Sequence, residues 1–200
     1  MKNIIVKVKA ITLVEMLVAV SLFSIVFISV SSLDLFVRRN YSDTDRKAKL
    51  HNEISPTIEH IVKTVSQGIG DATLTSRNPA NITTNASGDP LYLFRIPTPG
   101  ADADPISLAN TTWCAYVYKR PGNTQTSYQV WYYPDYSNTT NYDILSNKIT
   151  ALNMSFVSSD ISRIQFGLTA RYDPSNNVVS SDNPEVVFST SIQMRAVSTS

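Results

Sequence analysis

Lys9-Ala10-Ile11-Thr12-Leu13-Val14-Glu15-Met16-Leu17 opens an apolar run that continues to Leu33, with Glu15 as its one carboxylate. At about 1.5 Å per residue, a helix over 11–33 extends roughly 34 Å, enough to cross the hydrocarbon core of a bilayer. A carboxylate inside such a run costs about 2.5–3.5 kcal/mol on insertion scales. A plain anchor has no use for it, so a partner for Glu15 is expected. Ahead of the run lies a short leader, residues 1–10, with Lys2, Lys7 and Lys9 and no acid.

The order of leader, small residue, apolar residue and acid carries a family likeness. Ala10-Ile11-Thr12-Leu13-Val14-Glu15-Met16-Leu17 resembles the cleavage and methylation signature of type IV prepilins and type II secretion pseudopilins. That signature is a small residue, usually glycine, an apolar residue, usually phenylalanine, then Thr-Leu-(Ile/Val)-Glu. Ala10 and Ile11 are departures of the same chemical kind. The resemblance implies that a prepilin peptidase cuts between Ala10 and Ile11 on the cytoplasmic side and methylates the new amine of Ile11. Methylation keeps that amine cationic. It further implies that Glu15 is the determinant of methylation and assembly, pairing with the amine of a neighbouring subunit in a filament. Opposite charges in an apolar bundle attract far more strongly than in water, and neither tolerates isolation. The implied partners are other pilin or pseudopilin subunits, the peptidase, the inner-membrane assembly platform, the membrane itself and, in a secretion machine, a secreted substrate.

A secretory signal peptide is the competing reading of the N-terminus, with Ser29-Val30-Ser31 as a small-x-small site and a mature chain beginning near Ser32. The length of the run and Glu15 near its start weigh against it. Lys2, Lys7 and Lys9 precede the span, whereas Arg38, Arg39, Arg46, Lys47 and Lys49 follow it. Long domains translocate largely regardless of charge, so the leader sets the topology. The expected location is the cytoplasmic (inner) membrane, single-pass, with the N-terminus cytoplasmic and the C-terminal domain exported.

After Leu33 the helical pattern continues. Ile54, Ile58, Ile61 and Val65 form a stripe widened by Val62, with Glu59, His60 and Lys63 on the other side. Ser55-Pro56 reads either as an N-cap with proline at the first position of a second helix or as a kink in one long helix. Gly68 and Gly70 are expected to end it. The period then changes to two, and strands are predicted over 91–96, 112–119, 128–133, 151–157, 163–172 and 185–196. Ile164, Phe166, Leu168, Ala170 and Tyr172 form one inward row, and Val186, Phe188, Thr190, Ile192, Met194 and Ala196 another. Such alternation describes sheet with one buried and one wet face. The predicted class is α+β, a long N-terminal helix packed on antiparallel sheet. Its divisions are a leader over 1–10, a membrane or filament-core helix over 11–33, a helical continuation over 34–67 and a β-rich exported domain over 68–200. A β-domain of roughly 130 residues, within the usual domain range, resembles the larger minor subunits, the J-type pseudopilin or W-type minor pilin found at the filament tip.

Seventeen basic and 16 acidic residues leave a net charge of +1, which points to no nucleic-acid partner. Cys114 is the single cysteine, which excludes an internal disulfide and a Cys-based zinc site. It sits beside Trp113 in an apolar run and reads as a small buried hydrophobe. His51 and His60 read as exposed helix residues. The sequence has no phosphate loop, Gly-x-Ser-x-Gly or His-x-x-x-His, and no enzyme is expected. Asp89, Asp102 and Asp104 read as solvated loop acids that do not follow an EF-hand order, so no cofactor is expected and calcium is unsupported. Asn-x-Ser/Thr sequons at Asn81, Asn85, Asn110, Asn138 and Asn153 follow from an Asn/Thr-rich composition. Trp113, Tyr116, Tyr118, Tyr128, Trp131, Tyr132, Tyr133 and Tyr136 form the densest aromatic segment, read first as cross-strand packing and second as a contact surface. The expected function is a minor pilin or pseudopilin. The alternative is a filament- or membrane-displayed adhesin or DNA-uptake subunit whose loops 78–90 and 136–142 contact ligand.

Overall fold

The computed structural model describes residues 12–71, 78–98, 100, 108–122, 127–157, 160–194 and 196–198. One helix, α1 (Leu13–Ser66), is followed by β1 (Ile69–Asp71), β2 (Ala80–Thr84), β3 (Pro90–Pro97), β4 (Thr111–Lys119), β5 (Gln129–Tyr133), β6 (Asp143–Ser146), β7 (Ile149–Val157), β8 (Asp160–Arg171), β9 (Glu185–Gln193) and β10 (Ala196–Ser198). The class is α+β. The chain divides into two compact units, one up to Ser42 and one from Asp43 to Ser200.

In the first unit the helix is apolar and exposed along its length, from Leu13 at 80% to Val37 at 53%. It is long and apolar enough to cross a membrane. Four of its serines are matched to such a setting, because their hydroxyls are satisfied within the helix: Ser21 donates to the Val18 carbonyl, Ser24 to Val20, Ser29 to Ile25 and Ser32 to Ser29, at 2.8–2.9 Å. Beyond Leu33 charge returns as a pair four residues apart, Asp34 with Arg38 at 2.8 Å.

The second unit resolves the ambiguity at Pro56. The helix is continuous through it, and the Ser55 hydroxyl bonds back to the His51 carbonyl at 2.7 Å, as a helix-interior serine does rather than an N-cap. The carbonyl that proline leaves without an amide belongs to Asn52, which is exposed and can be hydrated. Leu50, Ile54, Thr57, Ile61, Thr64 and Val65 are the buried face. Leu50, Ile54, Ile61 and Val65 among them share one core with Phe94, Cys114, Tyr116, Tyr118 and Val130 of the five-stranded antiparallel sheet β2-β3-β4-β5-β6, and with Ile149, Met154, Ile164, Phe166 and Leu168 of the three-stranded antiparallel sheet β7-β8-β9. Side chains tie these layers by hydrogen bonds as well. Thr57 donates to the Leu145 carbonyl at 3.0 Å, Tyr92 to Leu152 at 2.9 Å, and Tyr118 to Thr150.

Three details depart from the sequence reading. The helix stops at Ser66, just ahead of Gly68 as expected, whereas Gly70 lies in a strand rather than at a helix end. Gly68 is needed for close approach, because a Cβ there would collide with the Met194 side chain. The predicted strand over 185–196 breaks at Met194, whose amide turns to the Ser162 carbonyl at 2.9 Å, and the chain leaves β8 to pair β10 in parallel with β1. Strands β2 and β6 were not anticipated: β2 is a five-residue edge strand rich in Asn and Thr, and β6 has four residues. The one-sided burial expected of 163–172 and 185–196 is not shared by the five-stranded sheet, which has no wet face at its centre. Cys114 to Tyr118 are buried on both sides of β4, and Leu91, Ala115, Val117 and Tyr133 form a second small core with Leu93, Trp131 and Tyr136.

Candidate functional site

Two places concentrate chemistry. The first is the start of α1. Glu15 Oε2 accepts from the Thr12 amide at 2.9 Å and from the Thr12 hydroxyl at 3.0 Å, while Thr12 Oγ1 accepts from the Glu15 amide at 3.3 Å. This reciprocal pair is a capping box, which satisfies amides that the first helical turn leaves without carbonyls. Thr-x-x-Glu ahead of an apolar run is a sequence signal for that arrangement, so the carboxylate has a use within its own chain in addition to the one implied by family likeness. Ala10 and Ile11, the expected cleavage and methylation positions, lie outside the described residues, as do Asp102 and Asp104.

The second place is the outer face of the five-stranded sheet. Register fixes which residues show there: Leu93 lies opposite Ala115, Arg95 opposite Trp113, and Val117 opposite Trp131. After β5 the chain folds back over this face. The Tyr136 amide donates to the Trp113 carbonyl at 2.7 Å, Tyr136 meets Tyr133 edge-on at 5.8 Å, and Tyr142 stacks on Trp131 at 4.3 Å with an angle of 2°. Asp135 braces the turn, since its Oδ1 accepts from the Ser137 amide at 2.9 Å, the Ser137 hydroxyl at 2.7 Å and the Thr112 hydroxyl at 3.4 Å. The Ser137 bonds hold the Asp135 carboxyl below its ordinary pKa. Between this turn and β2 remains a cleft of about 560 Å³, lined by Asn81, Leu93, Thr111, Thr112, Trp113, Asp135, Tyr136 and Ser137. The turn into β4 holds Leu108 and Asn110 at φ 56°, left-handed backbone that leucine rarely adopts. The cleft thus joins the two segments expected to contact ligand, 78–90 through Asn81 and 136–142 through Tyr136 and Ser137.

The remaining candidates are structural in placement. His51 is exposed, as expected. His60 is not: it is half-buried, with Nδ1 3.0 Å from the Tyr116 hydroxyl and its ring edge-on to Tyr132 at 4.5 Å. The helical stripe simply extends further round the helix than its aliphatic members indicate. Burial lowers the His60 pKa, with Asp143 opposing and Lys63 adding to the effect. Cys114 is fully buried, and burial pushes its thiol up to about 12, the opposite of an activated nucleophile. Asp89 is no solvated loop acid, because it pairs with Lys119 at 3.0 Å, both largely buried. Among the described residues, no three of His, Cys, Asp and Glu gather as metal ligands. No protein-family model, curated protein or solved structure matches the chain.

Proposed function

We propose that this chain is a membrane-anchored structural subunit of a type IV pilus or type II secretion pseudopilus, of the minor kind that acts at or near the filament tip. The observation that carries the reading is the helix from Leu13 to Leu33, exposed on its apolar side chains, with Glu15 as the one charged residue in it. An apolar surface of that extent needs lipid or protein around it. A bilayer serves while the subunit waits in the inner membrane, and the corresponding helices of neighbouring subunits serve after assembly. In the waiting state Thr12 holds Glu15. In the filament, once the peptidase has removed the leader at Ala10 and methylated Ile11, the amine of a neighbour takes over that carboxylate as its partner. The domain from Asp43 onward faces the exported side, where it meets other subunits and the assembly platform's client.

The test is N-terminal sequencing with intact mass on protein recovered from membranes, with and without a prepilin peptidase. A peptidase-dependent start at N-methyl-Ile11 supports the reading. A start near Ser32 that ignores the peptidase sinks it in favour of a secreted domain behind a signal peptide. The second reading, a displayed binding subunit, is favoured by one observation, the convergence of 78–90 and 136–142 on a single cleft. The near-neutral charge favours an adhesin over a DNA-uptake form of it.

A further inference from the structure

We infer that the cleft lined by Asn81, Leu93, Trp113, Asp135 and Tyr136 binds one or two units of a neutral saccharide. At about 560 Å³ it falls within the roughly 300–1,000 Å³ of small-molecule sites. Its walls combine Leu93 and two aromatic rings with polar groups that are not spent inside the chain. Among the described residues, the Asn81 side-chain amide, the Trp113 indole N–H, the Tyr136 hydroxyl and Asp135 Oδ2 enter no hydrogen bond. That set mixes donors and acceptors around an apolar floor. A sugar ring has the matching surface, with an apolar C–H face for an aromatic ring and a rim of hydroxyls that each donate and accept.

The charges in and beside the cleft argue against other ligand classes. Phosphate, sulfate and acidic sugars would meet the Asp135 carboxylate. A cationic ligand would compete for the Trp113 ring with Arg95, whose guanidinium already lies 4.7 Å from its centroid. A purely apolar ligand would cover the four unspent polar groups without pairing them, at a cost of desolvation for each. The wall itself is built, not incidental. Asp135 is pinned by three hydrogen bonds through Oδ1, which leaves Oδ2 to point elsewhere, and the Tyr136 backbone is bonded to Trp113. The cleft lies wholly within the unit from Asp43 to Ser200, so it stands whether or not the chain enters a filament.

The experiment uses the full chain in a polyoxyethylene detergent, because sugar-headgroup detergents would compete. A glycan array of neutral and acidic mono- to tetrasaccharides identifies the best neutral probe, which is then titrated by saturation-transfer NMR. The expected result is a Kd of about 1 mM or tighter. Asn81→Ala and Asp135→Asn each weaken it by at least about tenfold, while Val187→Thr, at an exposed position of β9, leaves it unchanged. Asp135→Asn keeps an oxygen for the Ser137 turn, and near-UV circular dichroism checks that each variant folds; Asn81 is exposed on an edge strand, so its variant keeps the test open if Asp135→Asn does not fold. Three results overturn the inference: no neutral saccharide bound at about 10 mM, affinity unchanged in the Asn81 and Asp135 variants, or preference for acidic sugars or extended peptides over neutral sugars.

Discussion

Replacing Ile61 by alanine tests whether the last turns of the helix belong to the same cooperative core as the sheets. Ile61 is 0% exposed and packs in the cluster that contains Tyr116, Ile149 and Phe166. The substitution removes three carbon atoms, about 2.4 kcal/mol at about 0.8 kcal/mol each. A cavity term adds to this, and measured isoleucine-to-alanine changes in cores span about 2–5 kcal/mol. Alanine returns a few tenths of a kcal/mol through its better helix propensity. The net expectation is a loss of about 3 kcal/mol, a large share of the roughly 5–15 kcal/mol that holds a domain together. Both tryptophans, Trp113 and Trp131, lie in β4 and β5, so their fluorescence reports on the sheet and not on the helix that carries the mutation. In urea titrations of the full chain in detergent, with a slope of about 2 kcal/mol per molar, the midpoint falls by about 1.5 M. Phe36→Ala is the paired control, since Phe36 is 66% exposed in the first unit and its loss should leave the midpoint within about 0.3 M. Equal, small shifts for both variants would refute the placement of the helix in the core.

Three further outcomes follow from single contacts. The folded His60 pKa lies below the unfolded value of about 6.5, so the unfolded chain takes up that proton first as pH falls; stability therefore drops below about pH 6.5, until the folded pKa is passed. The slope has a ceiling of about 1.4 kcal/mol per pH unit, reduced because His60 keeps part of its surface in water, and His60→Gln should remove it in stability measurements at pH 7.5 and about 5.5. Cys114, buried with its thiol raised to about 12, should resist iodoacetamide in the folded protein at about pH 8 and react fully in urea, as read by intact mass. Asn183 is a buried clamp: its Nδ2 donates to the carbonyls of Asp173, Asn176 and Val178 at 2.9–3.1 Å and its Oδ1 accepts from the Asp173 amide at 2.7 Å. Asn183→Ala should cost about 2–3 kcal/mol in urea and expose the 173–184 segment to limited proteolysis, whereas an unchanged midpoint would show that water replaces the amide at no cost.

How much of this was legible in the sequence depends on whether neighbours along the chain or neighbours in space decide a position. The helix was legible because Ile54, Ile58, Ile61 and Val65 repeat at helical spacing, and the rows of β8 and β9 were legible because alternation by two needs no knowledge of the partner strand. The state of Pro56 was not, because both readings satisfy the local rules and only the packing of Ile54 and Ile61 on either side decides between them. Residue type alone assigns His60 and Asp89 to solvent. Tyr116 lies 56 residues from His60 and Lys119 lies 30 from Asp89, distances over which sequence periodicity carries no information. The cleft is a similar case. The segments 78–90 and 136–142 were each readable as loops, but their meeting depends on the order β2-β3-β4-β5, which places Asn81 beside Leu93 and sets Trp113 under Tyr136.

The aromatic strand β4 couples the core to the cleft. Its successive residues alternate between faces, so Cys114, Tyr116 and Tyr118 fill the main core while Trp113, Ala115 and Val117 face outward. The outward face would be an apolar sheet surface open to water, and the fold deals with it by laying Tyr136 and Tyr142 across Trp131 and Tyr133. That cover does not fill the Trp113 end of the strand, where small or polar residues, Thr111, Thr112 and Asn81, stand in place of further aromatics. A slip of β4 by one residue would put Ala115 where Tyr116 fills the core and turn Trp113 inward, so the packing that fixes the register also fixes the floor of the cleft. Core and cleft are therefore not independent targets. A substitution on the cleft's rim at Asn81 can report on binding alone, one at Asp135 also touches the turn it braces, and any change to the inward residues of β4 should disturb stability and binding together.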